Sequence, residues 1–210
     1  MPKKFLVDGR ELICVNEADF DDVRSRFKEN VLVDDLEGWN STEAMEKYTA
    51  TTFLAKARHY LSLAPPDIMQ SAEKAWFAAV YAVKELYLTA GNIDIKSHNG
   101  LSFFCDFAID CSSLSFERRR FLRYSCWGKA EKLHQDVYDS GNFRTSEYSE
   151  VICNIEEFVT TFSQLDRAHL FKEFHKSFIA STAPNVDVRK DSGYVKLGGY
   201  SYKRDYVVFV

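Results

Sequence analysis

The stretch Met69–Gly91, MQSAEKAWFAAVYAVKELYLTAG, constrains the fold of this chain more than any other. At helical spacing Ala72, Trp76, Ala79, Val83, Leu86 and Ala90 share one face, and Phe77, Val80, Tyr81 and Tyr87 widen it until little polar surface is left. Apolar residues at i, i+3, i+4 and i+7 mark an amphipathic helix, and a helix apolar on nearly all sides belongs inside a core. Pro65 and Pro66 stop the segment before it, because proline lacks a backbone donor and biases its neighbour away from helix. Gly91 and Asn92 supply a left-handed cap at its end. A chain with such a rod is expected to build everything else around it.

The pattern on either side predicts a mainly α protein, an antiparallel helical bundle with small β segments at the N- and C-termini. Residues 39–181 read as the helical domain. Asn40 and Glu43 fit a capping box, opening a helix to about Leu63 whose inner face is Tyr48, Phe53, Leu54, Ala57 and Leu61. Asn92 to Lys96 reads as a loop, and Ser97 caps a short helix carrying Leu101, Phe104, Phe107 and Ala108. A long helix is expected from Phe116 to about Tyr138, interrupted at Gly128, then helices over Ser146–Phe162 and Asp166–Phe178. In residues 1–38, Asp8-Gly9 between apolar runs predicts a type I′ hairpin, with a short acidic helix over Glu17–Lys28. Residues 182–210 hold four short β-like runs, which either pair with that hairpin or form a flexible tail.

Composition narrows the function classes. A chain of 210 residues can bury a full core, and seventeen Phe with eleven Tyr make that core aromatic. A net charge of −4 argues against indiscriminate nucleic-acid binding but leaves room for a local basic site. No apolar run approaches twenty residues, so no membrane span is expected, and the N-terminus lacks a signal-peptide pattern. The five cysteines are scattered, without Cys-x-x-Cys, and are expected as buried free thiols in a reducing compartment, cytoplasmic or nuclear. With no GxGxxG, P-loop or H-E-x-x-H, neither cofactor nor metal is expected. His169 and His175 point to different helix faces and read as ordinary surface or half-buried histidines.

The segment that carries candidate chemistry is Arg118-Arg119-Arg120, Arg123, Lys129 and Lys132, six cations placed before His134. An imidazole among cations suits phosphate binding or phosphodiester cleavage. Lys129 and His134 are five residues apart, so they converge only if the helix bends, at Gly128, or if a second chain completes the site. Asp136 or Tyr138 would orient the imidazole. The plainer reading is a solvated basic helix face with a structural histidine.

The order Lys56-Ala57-x-x-Tyr60-Leu61, Ala72-Glu73-Lys74-Ala75-Trp76, Ala82-Val83-Lys84-Glu85-Leu86, Gly91, Ser97-His98-x-x-Leu101 and Leu133-His134-x-Asp136-x-Tyr138 resembles the HEPN (higher eukaryotes and prokaryotes nucleotide-binding) superfamily. The likeness covers about Thr42 to Phe162 and is closest to the branch found as repeated paralogues in archaea. It implies a helical bundle that forms a homodimer, with functional groups of both copies meeting at the interface. Active members are metal-independent endoribonucleases using an Arg, four to six residues and a His; members without the motif bind nucleotide, RNA or protein. His134 sits at the family histidine, but the residue five before it is Lys129, which lacks the planar fork that grips two phosphate oxygens.

The resemblance therefore implies a module that binds RNA, nucleotide or a protein partner, with weak or lost catalysis. A protein partner would dock at the terminal β segments. The alternative is a metal-independent endoribonuclease using His134, Lys129 or Arg123, and Tyr138. Arg118, Arg119, Arg120, Arg123, Lys132 and Asp136 would contribute to binding, and His98 is expected as a structural ring at a helix start.

Overall fold

The computed structural model describes residues 3–7, 10–14, 34–35, 48–139, 145–181, 186–197 and 200–210. They divide into two compact units, Met1–Glu46 and Lys47–Val210. In the first, β1 (Lys3–Val7) pairs antiparallel with β2 (Arg10–Cys14), Val7 facing Arg10 across a two-residue connection. The two-residue strand β3 (Asp34–Asp35) pairs on the other side of β1. The hairpin expected around Asp8-Gly9 is thus present, while the expected helix over Glu17–Lys28 lies outside the described residues.

The second unit is mostly helical and begins with α1 (Ala50–Leu61) and α2 (Ile68–Gly91). Thr49 caps α1: its hydroxyl accepts from Thr52 N, and Thr52 Oγ1 accepts from Thr49 N at 2.9 Å. The helix therefore starts at Ala50, whereas the cap expected at Asn40 lies outside the described residues. Phe53, Leu54 and Ala57 face inward as their spacing predicts. The rod α2 is 24 residues long, capped by Asp67 at its start and by Asn92, at φ 57°, at its end. Left-handed geometry is tolerated by Asn better than by most residues, and it ends the helix there.

Beyond α2 the chain forms β4 (Ile93–Ile95), α3 (His98–Cys111), α4 (Phe116–Arg120), a π-helical segment (Phe121–Trp127), α5 (Gly128–Asp139), α6 (Thr145–Gln164) and α7 (Arg167–Phe174). A second π-helical turn covers His175–Ile179, and β5 (Asp187–Leu197) and β6 (Tyr200–Phe209) complete the sheet. Helix α2 packs against α1, α3, α5, α6 and α7, and its Ala72, Ala75, Ala78 and Ala79 are fully buried. Small side chains let neighbouring backbones approach closely, and Ser71 exploits this by donating its hydroxyl to the Ala57 carbonyl of α1 at 2.8 Å. Phe104, Phe158, Phe162, Phe174 and Tyr87 fill the remaining core, as the aromatic composition implies.

Four expectations need correction. The segment after Asn92 is not a loop: Ile93 and Ile95 are buried in β4, which pairs parallel with β6 at Tyr206–Val208. The four β-like runs near the end are two long strands, β5 and β6, paired from Asp187–Phe209 to Leu197–Tyr200. These strands belong to the helical unit and pair there with β4, in the order β4-β6-β5. The break in the long helix begins at Phe121 rather than Gly128, which is where regular α geometry resumes. Cys105 and Cys126 are buried free thiols as expected, but Cys111 is half-buried and Cys153 is exposed. No helix of the described residues is long and apolar enough to cross a membrane.

Candidate functional site

Trp76, on the buried face of α2, is the floor of the site. Trp127, the last residue of the π-helical segment, packs against it with ring centroids 5.0 Å apart. On α5, His134 lies one turn beyond Glu131 and next to the buried Leu133, so its ring is directed toward α2. There it stacks on Trp76 at 5.3 Å with an interplanar angle of 18°. One turn before Trp76, Glu73 Oε1 accepts from His134 Nδ1 at 3.0 Å. A bond at Nδ1 fixes the ring's orientation and turns Nε2 to the opposite side.

His98 enters from a third element. Ser97 caps α3 by accepting from Gly100 N, which sets His98 as the first helical residue. Its ring lies 5.2 Å from Trp76 and 6.3 Å from His134, nearly parallel to the latter at 25°. Its Nε2 donates to Glu131 Oε1 at 3.0 Å, and Ser102 reaches the same oxygen more weakly at 3.5 Å. Two imidazoles thus lie against one indole, each bound to its own carboxylate. The side chains of His134 and Glu73 retain 25% and 17% of their exposure, so the cluster lies at the edge of the core with a solvent-facing side. Imidazole–carboxylate pairs of this kind can move protons and can hold a ring against a substrate. Among the described residues no group of three or more His, Cys, Asp or Glu has metal-binding geometry.

The basic residues singled out from the sequence do not gather here. Arg118 is bound to Glu157 and donates to Thr161 Oγ1 at 2.9 Å. Arg123 spans Asp106 at 2.6 Å and Asp110 at 2.9 Å on α3. Lys132 pairs with Asp136 at 3.0 Å along α5, so Asp136 engages a lysine and Glu73 is the carboxylate that holds His134. Among the described residues Arg119 reaches only the Asp110 main-chain carbonyl, at 3.4 Å, and Arg120 and Lys129 are exposed. Lys129 lies about 140° around α5 from His134, because five residues of α-helix advance that far beyond one full turn. The Tyr138 side chain lies outside the described residues.

Comparison with models of known families, with curated proteins and with solved structures finds no match. A separate cleft of about 600 Å³ opens between the end of α3 and the start of α7, lined by Cys111, Leu114, Gln164, Asp166 and His169 among others. Burial, with help from Glu173, pushes its Cys111 thiol up to about 11, so this cysteine is a poor nucleophile at neutral pH.

Sequence reasoning missed the role of Glu73, Trp76 and Glu131. The signal was present for Glu73 and Trp76, which stand three residues apart on α2 as Glu131 and His134 do on α5. What it lacked was the helix pairing that brings the two together.

Proposed function

We propose that the chain is a HEPN-like helical bundle that pairs with a second copy and binds RNA or a nucleotide, with the family's cleavage reaction weak or lost. The observation that carries this reading is the engagement of His134. The family histidine is held by Glu73 and stacked on Trp76, and Lys129 stands away from it on the helix. Three of the expected phosphate ligands, Arg118, Arg123 and Lys132, already face carboxylates, which weakens their pull on a phosphate. Arg119, Arg120 and Lys129 remain for a polyanion. A protein partner at the β5–β6 ribbon is the competing occupant, since Tyr194 and Tyr200 are exposed there and β5 is an edge strand.

The experiment is direct. A labelled single-stranded RNA and a labelled adenine nucleotide are titrated with purified protein at low salt, and Arg119→Glu with Arg120→Glu should weaken binding in a salt-dependent way. Sedimentation at the same concentrations reports whether a second copy is bound. Absence of binding to either probe removes the reading and leaves the protein partner.

Cleavage is the second reading, favoured by one observation: His98 adds a second imidazole, with its own carboxylate, 6.3 Å from His134. Two such rings could act as base and acid toward a 2′-hydroxyl and a leaving oxygen. RNA cut in the presence of EDTA to 2′,3′-cyclic phosphate ends, and left intact by His134→Ala, would establish it.

A further inference from the structure

Helix α4 and the π-helical segment after it present Phe116, Arg120 and Tyr124 at successive four-residue steps, which places them along one stripe. Phe116 is 67% exposed and Tyr124 64%, although the neighbouring Leu122, Cys126 and Trp127 are buried. Two large rings left in water on one stripe are a ligand-binding signature when charge lies between them. Here the charge is cationic. Asp110 is tied to Arg123, and among the described residues Arg119 touches only a main-chain carbonyl. Arg120 makes no ion pair among the described residues and stands between the rings. Phe116, Arg119, Arg120 and Tyr124, with Asp110 and Arg123, line an open cleft of about 550 Å³. A π-helical turn widens the helix at this point, a geometry common where a helix carries a function.

We infer that this stripe is the seat of single-stranded nucleic acid, with Phe116 and Tyr124 stacking on unpaired bases and Arg119 and Arg120 meeting the phosphates between them. The inference rests on the RNA-binding reading above and moves its site away from His134. Every base offers a π-face to an aromatic ring, and bases are available for stacking only when unpaired. The Cα atoms that carry the rings lie roughly 10–12 Å apart along the axis, at 1.5 Å per residue for the α-helical part and less for the π-helical part. That is too far for two adjacent stacked bases, so each ring takes its own base with backbone running over Arg120. A duplex, whose bases are closed to both rings, is excluded from this mode.

The test is fluorescence anisotropy with a labelled twelve-nucleotide RNA of mixed sequence. Its DNA counterpart and an RNA duplex serve as competitors, each at two salt concentrations. Phe116→Ala and Tyr124→Ala should each weaken single-strand binding roughly ten-fold, within the usual range for one stacked base. Tyr124→Phe should bind as the unaltered protein does. Arg120→Gln should lower the slope of log affinity against log salt by about 0.7, the value for one single-strand phosphate. All three positions are on the surface, and circular dichroism checks that each of the four variants is folded.

RNA binding that is indifferent to both ring variants would overturn the inference and leave the RNA-binding reading standing. So would equal competition by the duplex. A protein that binds no single strand at low salt overturns both, and the exposed rings then belong to a protein contact. DNA competing as well as RNA would support stacking without readout of the 2′-hydroxyl.

Discussion

The Tyr87 hydroxyl donates to the Phe104 carbonyl at 2.7 Å, joining α2 to α3 at a point where both residues are fully buried. Burial pushes this phenol far above its usual value, and it does the same to the Cys105 thiol. Burial also raises Cys126 to about 12. All three keep their protons in the folded protein at pH values where an unfolded chain has begun to lose them. Stability from these groups is complete below the unfolded values and falls as pH rises past them. Urea unfolding should show a plateau near neutrality and a decline above about pH 9, each fully buried group adding up to about 1.4 kcal/mol per pH unit. A flat profile up to about pH 10.5 would contradict the buried placement of these groups.

Gly91 ends α2 against α7. A Cβ added there would sit 2.0 Å from Phe171 Cδ2 and 2.9 Å from Cγ, so the whole ring must move. Gly91→Ala should cost about 1–3 kcal/mol in chemical denaturation, as overpacking does. With Phe171→Ala present the same change should cost much less, because the two residues share one space. Strict additivity of the two substitutions would refute the contact.

Arg123 holds α3 through two carboxylates that are themselves more than half exposed. Solvent screening keeps such pairs weak, so Arg123→Ala should cost about 1 kcal/mol or less, and less still in high salt. Arg123→Lys should recover only part of this loss. An ammonium cannot present the two separate N–H groups that now face Asp106 and Asp110. A cycle with Asp106→Asn measures the coupling.

His134 contributes to Trp76 and Glu73 at once, and the two contributions can be separated. His134→Phe keeps a ring on the indole but leaves Glu73 without the imidazole. His134→Ala removes both contacts and should cost about 2 kcal/mol, roughly twice the effect of His134→Phe. Denaturation curves for the two variants give the comparison. Unchanged stability in both would mean that the ring carries no structural share and is held for binding alone.

The local parts of this fold are legible in the sequence. The apolar density of Met69–Gly91 announces α2, Ser97 marks the start of α3, and Asn92 marks the end of the rod, because each signal lies within a few residues of its effect. The strands were harder. Asp191-Ser192-Gly193 looks like a turn that divides two short runs, yet it sits inside β5 at a register shift between Lys190 and Gly193. The site was harder still. His134 could be picked out as an imidazole among cations, but its carboxylate stands 61 residues away, and the partner of Arg118 stands 39 residues away. Any of the chain's 31 acidic residues could have filled those places, and only helix packing chooses among them.

The sheet order β4-β6-β5 has a kinetic consequence. Its middle strand meets β4 beside Asn92 and Asp205, a pair 113 positions apart, so closing it must confine a very long loop. Helix pairs such as α1 with α2 are nearly adjacent in sequence and can dock while that loop is still open. Until β6 arrives, Ile93 and Ile95 have no strand beside them, and an early helical intermediate would carry a sticky seam at that place. Chain association during refolding should therefore begin at Ile93–Ile95, and at high protein concentration it should compete with completion of the sheet.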